Sequence, residues 1–236
     1  MKKYQDIFFD LDHTLWDYES SARQTLFDLY QRYDLSSKVA LDENGLCESF
    51  FKVNHELWDK YNKGKISKYV LRTQRFRMVF EAIDVELKLF GENEISQFNK
   101  EYLYECPQKP NLIEGTVELL DALSSEYELH IITNGFIDVQ ATKMEMSGLS
   151  PYFSHVITSE GASAKKPQRK IFDFAMKQTG ANIASSIMIG DNLSTDIKGA
   201  RDYGLDQIFF NPGEIAHDNP VTHEVNKLKE IKVILL

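Results

Sequence analysis

A chain of 236 residues, 42% hydrophobic and 27% charged, suffices for one large domain or a domain with a smaller companion. Its net charge of −9, with no basic patch, argues against a nucleic-acid polymer as partner, because phosphate backbones are held by clustered Lys and Arg. No run of about 18 apolar residues is present, so no membrane span is expected. The start, Met1-Lys2-Lys3-Tyr4-Gln5, leads straight into a strand without the apolar segment of a signal peptide, so a cytoplasmic location is expected. Cys47 and Cys106, far apart in such a chain, are expected as free thiols.

The first predicted element is a strand. Ile7, Phe8 and Phe9 form a continuous apolar run, as in a strand buried on both faces of a parallel sheet. It stops on two carboxylates, Asp10 and Asp12, with Thr14 close behind. Residues two apart on a strand share a face, so the two carboxylates can serve one site if the extended geometry lasts that far. Like charges so close need a shared proton, a cation or hydrogen-bond donors.

A helical stretch follows. Ser20 or Ser21 can cap a helix carrying Ala22, Leu26, Leu29, Tyr30 and Tyr33. A second helical pattern holds Phe50, Phe51, Val53, Asn54, Leu57, Trp58 and Tyr61 and breaks at Gly64. A third starts at Ser67 and runs on through Val70, Leu71, Phe76, Val79 and Phe80; a fourth spans roughly Glu94 to Tyr104. Residues 18–106 therefore read as a helical insert able to form its own small core. Residues 1–17 and 107–236 read as the main domain.

From Pro107, Pro110 and Gly115 onward, helices alternate with short apolar strands: Leu129–Thr133, His155–Thr158, Ser186–Gly190 and Gln207–Phe210, with a weak strand near Thr222–Val225 and a final helix near Leu228–Leu235. Glycines 148, 180 and 204 sit where helices should end. Strands alternating with helices predict a parallel α/β sheet, whose ligand site lies beyond the carboxyl ends of the strands.

Those ends are polar. They carry Asp10 and Asp12; Thr133-Asn134-Gly135; Gly190-Asp191-Asn192 with Asp196 five residues after Asp191; and Lys166 before Pro167 in the loop after the third strand. Each alone reads plainly as a turn, a cap or a solvated lysine. Together, at the same end of successive strands, they describe a site. Asp10, Asp191 and Asp196 with a backbone oxygen suit a hard cation such as Mg²⁺. A hydroxyl, an amide and an ammonium suit phosphoryl oxygens. No His/Cys zinc cluster, Gly-x-Ser-x-Gly elbow or Gly-rich phosphate loop ending in Lys-Ser/Thr is found.

These residues resemble the haloacid-dehalogenase superfamily of phosphatases. Its first motif, Asp-x-Asp-x-Thr, stands as Asp10-Leu11-Asp12-His13-Thr14; the second motif's hydroxyl is Thr133; the third motif's lysine is Lys166; the fourth, Gly-Asp-x-x-x-x-Asp, is Gly190-Asp191-Asn192-Leu193-Ser194-Thr195-Asp196. The resemblance spans nearly the whole chain. It implies a Rossmann-like three-layer parallel sheet core with a helical C1-type cap inserted after the first strand. It implies Asp10 as nucleophile, forming an aspartyl phosphate, and Asp12 as general acid and then base, protonated at the start because Asp10 would raise its pKa. It implies Mg²⁺ on Asp10, the backbone carbonyl of Asp12 and Asp191, with Asp196 ordering that shell. Thr133, the backbone near Asn134, and Lys166 would hold the phosphoryl group. An aspartate at position 12 favours a phosphatase or phosphomutase over a dehalogenase, which lacks it.

The pattern Asn54-x-x-Leu57-Trp58-x-x-Tyr61-x-x-Gly64-x-Ile66, then Leu71-x-x-x-Arg75-Phe76, is similar to the cap of the pyrimidine nucleotide 5′-phosphatase branch. That implies nucleoside monophosphates such as dUMP, UMP and dTMP as substrates. N-acylneuraminate-9-phosphatases, other sugar or small-metabolite phosphatases and phosphomutases are the alternatives; a receiver-type aspartyl-phosphate switch fits less well. Trp16, just past the first motif, is expected to line the entrance and stack on a base, and Trp58 is a second candidate contact, although an aromatic at helical spacing is more often core. The expected partner is a small phosphorylated metabolite, and the expected assembly a monomer or homodimer.

Overall fold

A computed structural model describes residues 3–83, 86–91 and 93–236. The first two residues of the N-terminal reading, Met1 and Lys2, lie outside the described residues. The chain divides into two compact units, Met1–Tyr18 with Pro110–Leu236, and Glu19–Lys109.

The first unit is a six-stranded parallel sheet: β1 (Asp6–Phe9), β2 (Glu128–Thr133), β3 (His155–Thr158), β4 (Ser186–Gly190), β5 (Asp206–Phe210) and β6 (His223–Val225), in the order β3-β2-β1-β4-β5-β6. The order reverses beside β1, which is where such sheets open a crevice for a ligand. β1 is buried along its whole length and is paired on both sides, Phe9 opposite Ile131 and Ile189. A strand covered on both faces cannot alternate polar and apolar residues, and this explains the unbroken apolar run.

After β1 the helical unit takes the chain through α1 (Tyr18–Arg32), α2 (Glu43–Asn62), α3 (Lys68–Thr73), α4 (Arg75–Ala82) and α5 (Glu94–Glu105). The sheet unit then adds α6 (Thr116–Ser124), α7 (Ile137–Met146), α8 (Ser159–Ala162), α9 (Arg169–Thr179), α10 (Lys198–Tyr203) and α11 (Leu228–Leu235). One face of the sheet, through Phe8, Ile132, Ile157 and Met188, packs on Ile171, Phe172, Ala200 and Tyr203 of α9 and α10. On α6 and α11, which pack together, Leu119, Leu120, Leu123, Leu228 and Ile231 are buried.

The helical unit holds an aromatic core. Phe76 of α4 lies 5.4 Å from the Phe50 ring of α2, 4.7 Å from Phe98 and 5.1 Å from Tyr102 of α5. Two local expectations change here. α1 begins at Tyr18, ahead of Ser20 and Ser21, with Glu19 in its first turn where a negative charge meets the positive helix end. The third pattern is two helices, broken at Gln74; Ser67 caps only the first, accepting from the Val70 amide at 3.3 Å. Leu71 and Phe76 are five apart, off the helical repeat, and Arg75 opens α4 just after the break, its guanidinium 5.9 Å from the Phe50 ring. Cys47 and Cys106 are buried, and no disulfide joins them among the described residues.

Candidate active site

Four strand ends or following loops supply the polar residues. Asp10 extends the β1 ladder by one residue, its amide donating to the Ile189 carbonyl at 2.8 Å. Asp191 directly follows β4. Asp196 lies in the π-helical turn Leu193–Ile197, which Asn192 caps through the amides of Ser194 and Thr195. Asp10, Asp191 and Asp196 each present an oxygen within 4.8 Å of the others. Gly190 makes this possible, since a Cβ there would stand 2.4 Å from Asp196 Oδ2. The Asp196 carboxylate is fixed by the Asn192 amide at 3.1 Å and the Thr195 hydroxyl at 3.1 Å, and Thr14 donates to Asp191 at 3.1 Å.

Lys166 is the cation of this cluster. Its ammonium, 1% exposed, donates to Asp10 at 2.5 Å and the Ile132 carbonyl at 2.6 Å and pairs with Asp196 at 2.8 Å. The Asn134 side chain secures the lysine from behind, accepting from the Lys166 amide at 2.8 Å and donating to its carbonyl at 3.1 Å. That side chain is thus committed to Lys166, which leaves the backbone near Asn134 for a ligand.

Three clustered carboxylates, Asp191 only half-buried, against one ammonium leave excess negative charge. Burial, then the neighbouring Asp196 and Asp191, push Asp10 well above the ordinary carboxylate range even though Lys166 opposes them. Burial and Asp196 push Asp191 up to about 7. Burial alone would lower Lys166, but Asp10 and Asp196 outweigh it and raise it. An all-oxygen donor set with this excess of charge fits a hard divalent cation such as Mg²⁺.

The Asp12 side chain turns elsewhere. Its Oδ2 accepts from Gln140 at 2.9 Å and its Oδ1 from Lys143 at 2.5 Å, both residues on α7. Burial works to raise Asp12, but the Lys143 charge and the hydrogen bonds of Lys143 and Gln140 outweigh it and hold the carboxyl below its ordinary value. This corrects the expectation of a protonated Asp12 raised by Asp10. The Asp12 carboxylate therefore faces α7 and lies outside the Asp10, Asp191 and Asp196 cluster. The Thr133 hydroxyl accepts from the Gly135 amide at 3.0 Å and Gln140 at 2.7 Å.

Trp16 also departs from expectation. Its ring is fully buried and the Lys143 ammonium stands 4.4 Å from its centroid, so that face is not open for base stacking. Trp58 belongs to the helical unit, on α2, with its ring edge-on to Tyr61 at 5.6 Å. Gln140 and Lys143 join the site through Asp12, and the sequence does not point to them. The signal for them was a lysine three positions after a glutamine on the helix following Thr133, a pattern that solvated helices share.

A parallel sheet bearing a carboxylate on its central strand, an acidic cluster and a buried lysine belongs to a recognised class of hydrolase. The chain is a member of the haloacid dehalogenase-like hydrolases, whose family profile matches residues 7–210. It is 30% identical over 233 residues to pyrimidine 5′-nucleotidase PynA of Streptococcus pneumoniae, covering 97% of this chain and 93% of the relative. It is 30% identical over 236 residues to pyrimidine 5′-nucleotidase YjjG of Escherichia coli, covering 99% and 98%. The crystal structure of HAD-hydrolase YfnB from Bacillus subtilis, bound to magnesium and described as revealing interdomain movement, matches with a TM-score of 0.86 at 26% identity over 99% of each chain.

Proposed function

We propose that the protein is a Mg²⁺-dependent phosphatase that hydrolyses small phosphomonoesters through an aspartyl phosphate on Asp10, acting on pyrimidine nucleoside 5′-monophosphates. The observation that carries this is the Asp10 carboxylate at the end of the central strand, gripped by Lys166 and grouped with Asp191 and Asp196. The kinship with the two nucleotidases supports the substrate class.

In this reading an Asp10 oxygen forms a bond to phosphorus while the ester oxygen leaves with a proton from Asp12. Water then attacks the same phosphorus, Asp12 takes the water's proton, and the bond from phosphorus to Asp10 breaks to release phosphate. Lys166 neutralises the nucleophile and the developing phosphoryl charge, with the Thr133 hydroxyl and the backbone near Asn134 as further donors. Asp10, Asp191 and the Asp12 carbonyl would hold Mg²⁺, and Asp196 would order the shell. The bound cation would supply charge stabilisation on the phosphoryl oxygens. The Lys143 ion pair suits Asp12 to the second step as it stands, and the first step requires Asp12 to gain a proton. The helical insert would act as a C1-type cap, with Trp58 as a candidate leaving-group contact.

The test is phosphate release from dUMP, UMP, dTMP, sugar phosphates and 4-nitrophenyl phosphate with Mg²⁺, for wild type and Asp10→Asn. Turnover with preference for the nucleotides, abolished in Asp10→Asn, is expected. Turnover retained in the variant would remove Asp10 as nucleophile, and a preference for sugar phosphates would replace the substrate class.

A further inference from the structure

One buried lysine lies outside the proposed chemistry. Lys143 is 5% exposed, although lysines are almost never buried unless paired. Its anionic partner among the described residues is Asp12, at 2.5 Å. The Trp16 ring at 4.4 Å and the Tyr18 ring at 5.8 Å flank the ammonium. Aromatic faces attract a cation without competing for its protons the way water does, so the ammonium stays directed at the carboxylate.

Gln140 acts beside it. The two residues are three apart on α7 and so share a helix face. Gln140 is fully buried, and its amide nitrogen reaches both Asp12 Oδ2 at 2.9 Å and the Thr133 hydroxyl at 2.7 Å. The fit depends on Gly135, where a Cβ would lie 2.3 Å from that nitrogen. One donor per carboxylate oxygen fixes the plane of the Asp12 carboxylate. A carboxylate has about four acceptor positions, so two are left for a further donor such as water.

We infer that Lys143 and Gln140 are positioning residues that orient the Asp12 carboxylate as the acceptor of the water proton during breakdown of the aspartyl phosphate. The inference rests on the phosphatase reading above and assigns the α7 pair to its second step. In that step water oxygen bonds to phosphorus, the water proton passes to Asp12, and the Asp10 oxygen leaves phosphorus with its electron pair. Neither α7 side chain exchanges a proton or touches the phosphoryl group.

Lys143→Met is tested with 4-nitrophenyl phosphate and Mg²⁺. Nitrophenolate leaves without needing a proton, so phosphoenzyme formation does not depend on Asp12 as acid. The expected result is a kcat lower by roughly 10- to 100-fold, with KM falling alongside it, because a positioned base contributes about 10²- to 10⁴-fold. The ratio kcat/KM, which reports phosphoenzyme formation, should stay within about threefold of wild type. Rapid mixing should reveal a burst of one nitrophenolate per site. Lys143→Arg, which keeps the charge and can lie on Trp16, should recover most of kcat. Damage to the fold lowers kcat and kcat/KM together and gives no burst, and that result in both variants overturns the inference. Unchanged kinetics in Lys143→Met overturns it equally. A wild type inactive on the ester overturns the phosphatase reading as well, whereas an active wild type with no split in the variants overturns this inference alone.

Discussion

Withdrawing Mg²⁺ should make the stability of the sheet unit fall with rising pH. Asp191 is pushed from its ordinary 3.8 up to about 7. A carboxyl whose folded pKa lies above its unfolded value contributes full stability below the unfolded pKa and loses it as pH rises through the folded one. That change corresponds to about 4 kcal/mol at 1.36 kcal/mol per tenfold change in proton concentration. Asp191 is only half-buried, and solvent screening reduces the expected loss to about 2 kcal/mol between pH ~4 and ~7. Asp10, raised for the same reasons, acts in the same direction. A bound cation takes the place of the protons and adds about 2.7 kcal/mol at a hundredfold excess over its Kd.

Other groups slope differently. Burial holds His130 below its ordinary value against the pull of Asp6, 3.1 Å away, so its contribution is lost as pH falls. It is the same with and without metal and cancels in the difference between the two. The assay is urea unfolding across this pH range in EDTA and in millimolar Mg²⁺, read from Trp16 fluorescence in a Trp58→Phe background. The two stability curves should diverge as pH rises, and Asp191→Asn should narrow the divergence. Parallel curves across the whole range would refute the reasoning, because carboxylates that bind a cation cannot be indifferent to it.

Lys166→Met should lower hydrolysis about 10²- to 10³-fold and cost about 3–5 kcal/mol near neutral pH, because it strands Asp10 and Asp196 without their cation. The cost should shrink as pH falls and Asp10 takes up a proton, and denaturant titration at neutral and acidic pH checks this. Gly190→Ala should destabilise by about 1–3 kcal/mol and weaken Mg²⁺ binding by calorimetry, since its Cβ collides with Asp196; wild-type affinity would show that Asp196 has room to move. Phe76→Ala should cost about 3–5 kcal/mol by removing the ring shared by Phe50, Phe98 and Tyr102. Proteolysis of the helical unit at matched temperature should accelerate accordingly, and an unchanged rate would place its stability elsewhere.

Which of these features the residues announce depends on how local their cause is. Thr133 closes a strand, and Asp10, Lys166, Asp191 and Asp196 follow one, whose apolar run can be read locally. The parallel-sheet rule then puts them at one end. The partners of Asp12 are 128 and 131 residues away, and a lysine on a helix is by default solvated, so no local pattern separates Lys143 from its exposed counterparts. Trp16, just past the first motif, is placed to line an entrance by sequence alone; the structure buries it, with that same distant lysine over its ring. The break at Gln74 and the early start of α1 are matters of helix termini, where packing overrides a plausible cap.

The central strand has a further consequence for biosynthesis. β1 is made before the helical unit, yet its hydrogen-bonding neighbours β2 and β4 begin at Glu128 and Ser186, beyond that entire unit in sequence. Pairings over such separations are slow to form. Throughout synthesis of the helical unit the apolar run Ile7-Phe8-Phe9 has neither neighbour, and a strand without neighbours is prone to aggregate. A nascent chain of this topology gains most from a chaperone on β1, and one halted before β4 cannot assemble the carboxylate cluster.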